Sequence, residues 1–407
     1  MPALSGSRSV SRAGPARWHW AVQVLTIFAL GRAISLGILV WAAGAQGPSP
    51  WGGAAPGYGA FINYWDSGWY QQVFDDGYPE VLPRNADGVV VPNQWAFYPL
   101  FPGLVRLIDQ IPGIGWGAAA PFVAVVSGFA ASLVVYRLFR LRADHQDALW
   151  GVGLVAVSPV SPILQIPYAE SLHLLLLASS LYLVAGRRYL TAIPVVLAMC
   201  FSRPAGVPFA VLLTGLLVSE FLRGRGEGTG GFWGVATMPG TIRLAVLTAS
   251  TGIGALAWPI AAWVSTGQFS AYVDTETAWR EEELSPFTPW LAVASSYFGS
   301  VLGTVAVAVL AVGCILLLRA PAVRQLGAAM QFWCAAYLLY LAAFWNPQTS
   351  TFRILLPLFP LALSAILISR NRRYRWALAV VSVLLQVVWV AWLWTWSPIT
   401  PEGDYPP

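Results

Sequence analysis

The sequence predicts an all-α polytopic membrane protein, and three observations carry that prediction. Of 407 residues, 57% are hydrophobic and only 10% are charged, where a soluble domain carries about a quarter charged. Apolar runs of about 20 residues, each long enough to cross a hydrocarbon core, recur along the whole length. Arginines and carboxylates also segregate onto alternate loops, as the two sides of a bilayer require. A soluble enzyme, a secreted disulfide scaffold and a disordered chain are thereby excluded. A lone span must satisfy its own backbone hydrogen bonds, and no alternating barrel pattern is present, so the spans are helices.

Eleven segments follow in order: 21–43, 116–138, 149–166, 171–185, 189–201, 205–222, 244–264, 291–318, 326–345, 354–369 and 376–396. The fourth, fifth and tenth are short and read as tilted, broken or incompletely spanning. The first run is long and lacks a small-residue cleavage site, so it reads as a retained span rather than a cleaved signal peptide. With the N-terminal tail (1–20) in the cytoplasm, 17 of the 23 arginines fall on inner loops and 14 of the 18 carboxylates on outer ones. The expected topology is N-terminus in, C-terminal tail (397–407) out, in the cell membrane. One membrane domain then spans 1–407, with a large first outer loop at 44–115 carrying interfacial helices and a second outer loop at 266–290.

All the basic residues are arginine. Because they gather on one side of a membrane, the excess of +5 does not indicate a nucleic-acid partner. Cys200, Cys314 and Cys334 lie in apolar runs and read as small core residues. His19, His145 and His173 are scattered. No metal site and no cofactor are expected.

Chemistry concentrates in the outer loops. In NYWDSGWYQQVFDDGYP, Trp65, Trp69 and Val73 recur at helical spacing and predict a stripe lying along the membrane surface. Asp66 stands beside that stripe near the helix start, either as a capping residue or as a general base at the membrane boundary. Asp75 and Asp76 read as a solvated helix end. FYPLFP (97–102), twice interrupted by proline, predicts a re-entrant or surface element and a wall for a lipid chain, with Tyr98 in it.

Charged residues within or beside spans are costly, and function is their default reading. Glu170 in PYAES, Arg203 in SRPAG and Arg353 in NPQTSTFR lie toward the outer side. Glu170 and Arg203 also read as a mutually neutralising pair. Arg32, midway along the first span, predicts a polar cavity or a partner. Guanidinium groups suit bidentate recognition of phosphate, so Arg203 and Arg353, with Arg32 assisting, are the candidates for a phosphorylated lipid. A phosphodiester is a good leaving group, so one base that activates an acceptor hydroxyl completes a minimal set.

At YWDSGWYQQVFDDGYP the sequence resembles the PIG-V family, of the GPI mannosyltransferase II type, with its bacterial relatives. The resemblance extends through FYPLFPGLVRL, IPYAESLHLLLL, SRPAGV and TFRILLPLFPL in the expected order. It implies a C-type glycosyltransferase (GT-C-like) fold and inverting transfer of mannose from a polyprenyl phosphate mannose donor to a hydroxyl of a lipid-linked or glycan acceptor. Carried over by motif, Asp66 is the catalytic residue. Tyr168, Glu170 and Ser171 match the Tyr-x-Glu-Ser element, and Arg203 matches the arginine of the later loop. With Trp65, Trp69 and Tyr98, the Tyr168–Glu170–Ser171 group makes up the expected substrate-binding set. The chain has RPAG where some relatives carry Asn-Gly after the arginine. The competing readings are a transporter or flippase of lipid-linked sugars, a structural scaffold, and a transferase of another polyprenyl-phosphate sugar. A transporter predicts mid-depth polar residues and paired broken helices in related halves; no such halves are evident, and the charges cluster toward the outer face.

Overall fold

The computed structural model describes residues 19–226, 238–279 and 284–397, with no side-chain description at 224–226. The acidic run at 281–283, the tail arginines Arg8, Arg12 and Arg17, and residues 398–407 lie outside the described residues. The chain is built of helices throughout: among the described residues the only β pairings are two isolated bridges. Six helices are long and apolar enough to cross a membrane, or seven if one bent pair counts as a span. This is a multi-pass membrane protein.

The long helices are α1 (Trp20–Ala45), α5 (Gly115–Phe139), α9 (Gly206–Gly226), α10 (Pro239–Thr266), α12 (Pro289–Arg319) and α17 (Arg372–Trp389). Between α1 and α5 the first long loop folds into α2 (Tyr58–Phe61), α3 (Asp66–Asp76) and α4 (Leu100–Asp109). Shorter helices complete the set: α6 (His145–Ala156), α7 (Glu170–Ala185), α8 (Tyr189–Cys200), α11 (Ala271–Ala278), α13 (Pro321–Arg324), α14 (Ala328–Phe344), α15 (Thr351–Ile354) and α16 (Pro360–Ile368).

Six of the eleven expected segments are helices long enough to cross a membrane, and the fourth, fifth and ninth are shorter apolar helices. The tenth is broken as its shortness suggested, and the third and eighth depart from one regular helix. The third, 149–166, is not one helix: α6 stops at Ala156, and Pro159 and Pro162 carry the chain through turns to Gln165. Proline withholds an amide donor and clashes with the preceding turn, so the periodicity of apolar residues outlasts the helix. The tenth bends by 73° between its two halves, Thr351–Leu358 and Pro360–Ile368. Tyr337 and Trp333 of α14 donate to the Ile354 and Pro357 carbonyls at 2.7 and 2.8 Å, satisfying groups that the break frees from their ladder. The eighth is kinked at Gly299, where φ is +76°.

Small residues allow close helix contacts, as expected where lipid offers no hydrophobic drive. At Gly31 a Cβ would stand 2.7 Å from the Ala156 carbonyl oxygen, and at Gly206 it would stand 2.7 Å from the Ala255 Cβ. These two glycines let α1 meet α6 and let α9 meet α10. A buried Arg375–Asp147 pair at 2.6 Å ties the start of α17 to α6. Inside the bundle, Ser35 of α1 donates to Gln386 of α17, which donates in turn to the Val157 carbonyl.

Candidate functional site

Four charged side chains from four separate stretches converge at one place. Asp66 opens α3 and Glu170 opens α7. Arg203 follows α8 in the turn before α9, and Arg353 sits on the short α15. Arg353 Nη1 lies 2.5 Å from Asp66 Oδ2 and 3.6 Å from Glu170 Oε1. Arg203 Nη1 is paired with the same Glu170 oxygen. The result is a continuous chain, Asp66–Arg353–Glu170–Arg203, with two positive and two negative charges.

Exposure grades along it. Glu170 is 4% exposed and Arg353 8%, whereas Asp66 and Arg203 are each 19% exposed. The middle of the chain is buried and its two ends are partly exposed. Burial disfavours the Arg203 charge, but the Glu170 carboxylate and the nearby Tyr70 and Tyr337 outweigh it, so its pKa is raised and the guanidinium stays protonated.

Local folding explains the placement of Asp66. Trp65, just before it, adopts φ +60° and ψ −127°, a conformation that a residue with a Cβ holds at a cost of about 1–3 kcal/mol and that gathers at functional sites. Packing enforces it: Trp65 Nε1 donates to the Trp394 carbonyl at 2.9 Å, and its ring meets Trp51 edge-on. Tyr168 then seats both members of the first ion pair. Its hydroxyl accepts from the Asp66 amide at 2.8 Å and donates to the Tyr64 carbonyl, while its ring lies 5.4 Å from the Arg353 guanidinium. The far end of α3 is held by Arg106 of α4, which donates to the Val73 and Phe74 carbonyls of the last turn, the former also accepting from the Gly77 amide. Asp75 and Asp76 are exposed at that end, as a solvated helix terminus would be.

The structure therefore brings together Asp66, Tyr168, Glu170, Arg203 and Arg353. It does not use the Asp66 carboxylate as a cap: the cap position is Trp65, and the carboxylate points at Arg353. The other expected residues fall elsewhere. Arg32 is buried in α1 with its terminal nitrogens on the Ser161 and Ala156 carbonyls at 2.5 and 2.8 Å. It plugs the backbone groups freed where α6 breaks, and its charge is spent there rather than on a ligand. Ser171 is fully buried and donates to the Leu164 carbonyl. The stripe of Trp65, Trp69 and Val73 faces the protein, not the membrane surface: Trp69 stacks on Phe97 at 5.8 Å and Val73 is buried. Tyr98 is buried in a satellite core with Trp95 and Trp258, its hydroxyl 3.0 Å from that of Tyr272.

Tyr70, Tyr337 and His173 were not singled out from the sequence. Tyr70 is buried beside all four charges, and burial holds its hydroxyl well above the ordinary tyrosine pKa. His173 lies one turn beyond Glu170 and bonds Ser202 at 2.9 Å. Helical spacing from Glu170 marks His173; nothing local marks the other two.

Two open spaces flank α15. On one side is an apolar groove of about 520 Å³ against α17, lined by Phe352, Leu355, Trp389 and Trp392. On the other is a cavity of about 270 Å³ to which Arg203 contributes. Among the described residues no group of three His, Cys, Asp or Glu side chains is placed to hold a metal ion.

No family model matches the chain, and no curated protein sequence matches it. Among solved structures, the chain is similar to ArnT from Cupriavidus metallidurans bound to undecaprenyl phosphate, at 15% identity and TM-score 0.46 over 87% of this chain and 62% of that one. It is also similar to the archaeal oligosaccharyltransferase AglB from Archaeoglobus fulgidus, in complex with an inhibitory peptide and a dolichol-phosphate. There the values are 15% identity and TM-score 0.47 over 92% of this chain and 56% of that one. The chain spans less than two thirds of the length of either.

Proposed function

We propose that the protein is an inverting glycosyltransferase that moves mannose from a polyprenyl phosphate mannose donor to a hydroxyl of a lipid-linked or glycan acceptor, at the outer face of the cell membrane. The observation that carries this reading is the four-residue ion chain with a carboxylate at one partly exposed end and an arginine at the other. A phosphate entering the site competes with Asp66 and Glu170 for the arginines. Its oxygens match guanidinium geometry, and Arg203 and Arg353 share the anion between them.

In the reaction, Asp66 accepts the proton of the acceptor hydroxyl. The acceptor oxygen bonds to the anomeric carbon from the face opposite the phosphate. The bond from that carbon to the phosphate oxygen breaks, and its electron pair leaves with polyprenyl phosphate, whose added charge the two arginines balance. While Arg353 holds Asp66, the carboxylate oxygen Oδ2 is occupied by the guanidinium. Donor phosphate drawing Arg353 away frees that oxygen for the acceptor hydroxyl, so donor should bind before acceptor. The transporter reading is the weaker one, since it gives no role to a base anchored by a strained tryptophan and a buried tyrosine.

The test is transfer of labelled mannose from polyprenyl phosphate mannose to native membrane lipids by the purified protein. Asp66→Asn keeps the shape and loses the base, and should lower turnover by ~10²–10⁴-fold. Arg203→Ala should raise the donor concentration needed. Wild-type turnover in Asp66→Asn rejects the base, and unchanged donor dependence in Arg203→Ala rejects the phosphate assignment.

A further inference from the structure

Phosphate binding gives a role to Arg203 at one margin of the cavity beside it and leaves the rest of the cavity wall without one. That wall is polar along one side. Tyr272 and Glu276 come from α11 four residues apart, and Tyr337 and Tyr340 from α14 three apart, spacings that put each pair on one helix face. One turn beyond Tyr340, its ring 5.6 Å away, Phe344 continues that wall, and with Trp345 it adds an apolar aromatic stretch. The polar side is braced: Tyr98 holds the Tyr272 hydroxyl at 3.0 Å, and the Tyr337 hydroxyl is fixed on the Ile354 carbonyl.

We propose that this cavity is the subsite for a sugar ring, with Glu276 accepting hydrogen bonds from its hydroxyls; the proposal rests on the function given above. A carboxylate only accepts hydrogen bonds, whereas a phenol accepts and donates, and together they suit a ring that carries several hydroxyls. The aromatic wall suits the ring's C–H face. A second anion is disfavoured, because the Arg203 charge is already balanced by Glu170. A neutral polyol meets no such obstacle.

Position gives the same answer. In the donor, the sugar is one bond from the phosphate, so its site must touch an arginine that holds the phosphate. Arg203 belongs both to the ion chain and to this cavity. The larger groove across α15 offers almost no polar lining beyond Ser158 and Trp389, so it cannot satisfy several hydroxyls. The ring that fits is either the donor's sugar or a sugar of the acceptor, and both present the same chemistry.

The variants Glu276→Gln and Tyr272→Phe, in the full-length protein, separate these sources. Each is assayed for mannose transfer while polyprenyl phosphate mannose and then membrane lipid extract is varied, alongside binding of sugar-free undecaprenyl phosphate and the melting temperature. Losing a hydrogen bond to a charged group should raise one half-saturating concentration about ten-fold or more in Glu276→Gln, with undecaprenyl phosphate binding unchanged. A rise for the donor assigns the cavity to the donor sugar, and a rise for the extract assigns it to the acceptor. Should Glu276→Gln fail to fold, Tyr272→Phe carries the comparison with a smaller rise. If wild type binds undecaprenyl phosphate and transfers mannose, while folded variants keep both concentrations within about two-fold, the cavity proposal alone is overturned. If wild type does neither, the functional reading falls and the cavity assignment falls with it.

Discussion

Asp66 and Arg353 are 287 positions apart in the chain and 2.5 Å apart in space. What holds them is a neutral residue between them in sequence. Tyr168, 1% exposed, receives the Asp66 amide on its hydroxyl and presents its ring to Arg353. Its removal as Tyr168→Phe keeps the ring and deletes two hydrogen bonds, leaving the Tyr64 carbonyl and the Asp66 amide without that partner. Leaving a buried group unsatisfied costs about 1–3 kcal/mol, which the melting temperature reads directly. Because a base displaced by a fraction of an ångström loses rate rather than affinity, we expect kcat to fall about ten-fold while the donor KM stays put. A donor KM that rises instead would place Tyr168 on the ligand rather than behind Asp66.

Helices in this chain are joined by polar contacts as much as by apolar packing, and one of these contacts sets the register of α17 on α6. Asp147 and Arg375 are each 6% exposed and 2.6 Å apart, far from the competition of bulk water. Removing one partner of such a pair strands the other and costs about 3–5 kcal/mol, whereas exchanging both for apolar residues is close to neutral. Asp147→Ala should therefore lower thermal stability sharply. Asp147→Leu with Arg375→Met should recover most of it, and a double variant as unstable as the single one would refute this account. Elsewhere the elements depart from regular geometry around the charged cluster. The 73° bend after Leu358 turns α15 out of line with α16, leaving Arg353 on a short turn against Asp66 and Glu170 instead of inside a continuous helix. The tail of α17 closes with a widened turn, Val390–Trp394, whose last carbonyl anchors Trp65.

For the whole molecule, the segregation of charge makes a topological prediction that labelling can check. Val81, 79% exposed in the first long loop, and Arg370, with its side chain 84% exposed after α16, belong to opposite sides under the proposed orientation. In intact cells a membrane-impermeant maleimide should modify Val81→Cys at once and Arg370→Cys only after lysis; the reverse would put Asp66 on the cytoplasmic side. Much of this architecture was legible in the residues alone. Hydropathy marks a span because burying about 20 apolar residues in hydrocarbon is a local property, summed along the chain. The charged residues of the site could be picked out for the same reason, since a charge beside a span is costly wherever the chain goes next. Their partners could not. Arg32 and Arg353 look alike as lone arginines near apolar runs, and only the fold sends one to the Ala156 and Ser161 carbonyls and the other to Asp66. The tryptophan stripe has the period of an interfacial helix whether it meets lipid or protein; Phe97, Trp51 and Trp394, brought in from other segments, decide it. The polar walls of the cavity come from the turn holding Arg203, from α11 and from α14, segments with no shared motif. Local sequence sets which stretches enter the membrane and which charges must be compensated. Compensation itself is a matter of distance between remote segments, and that is decided only when the helices pack.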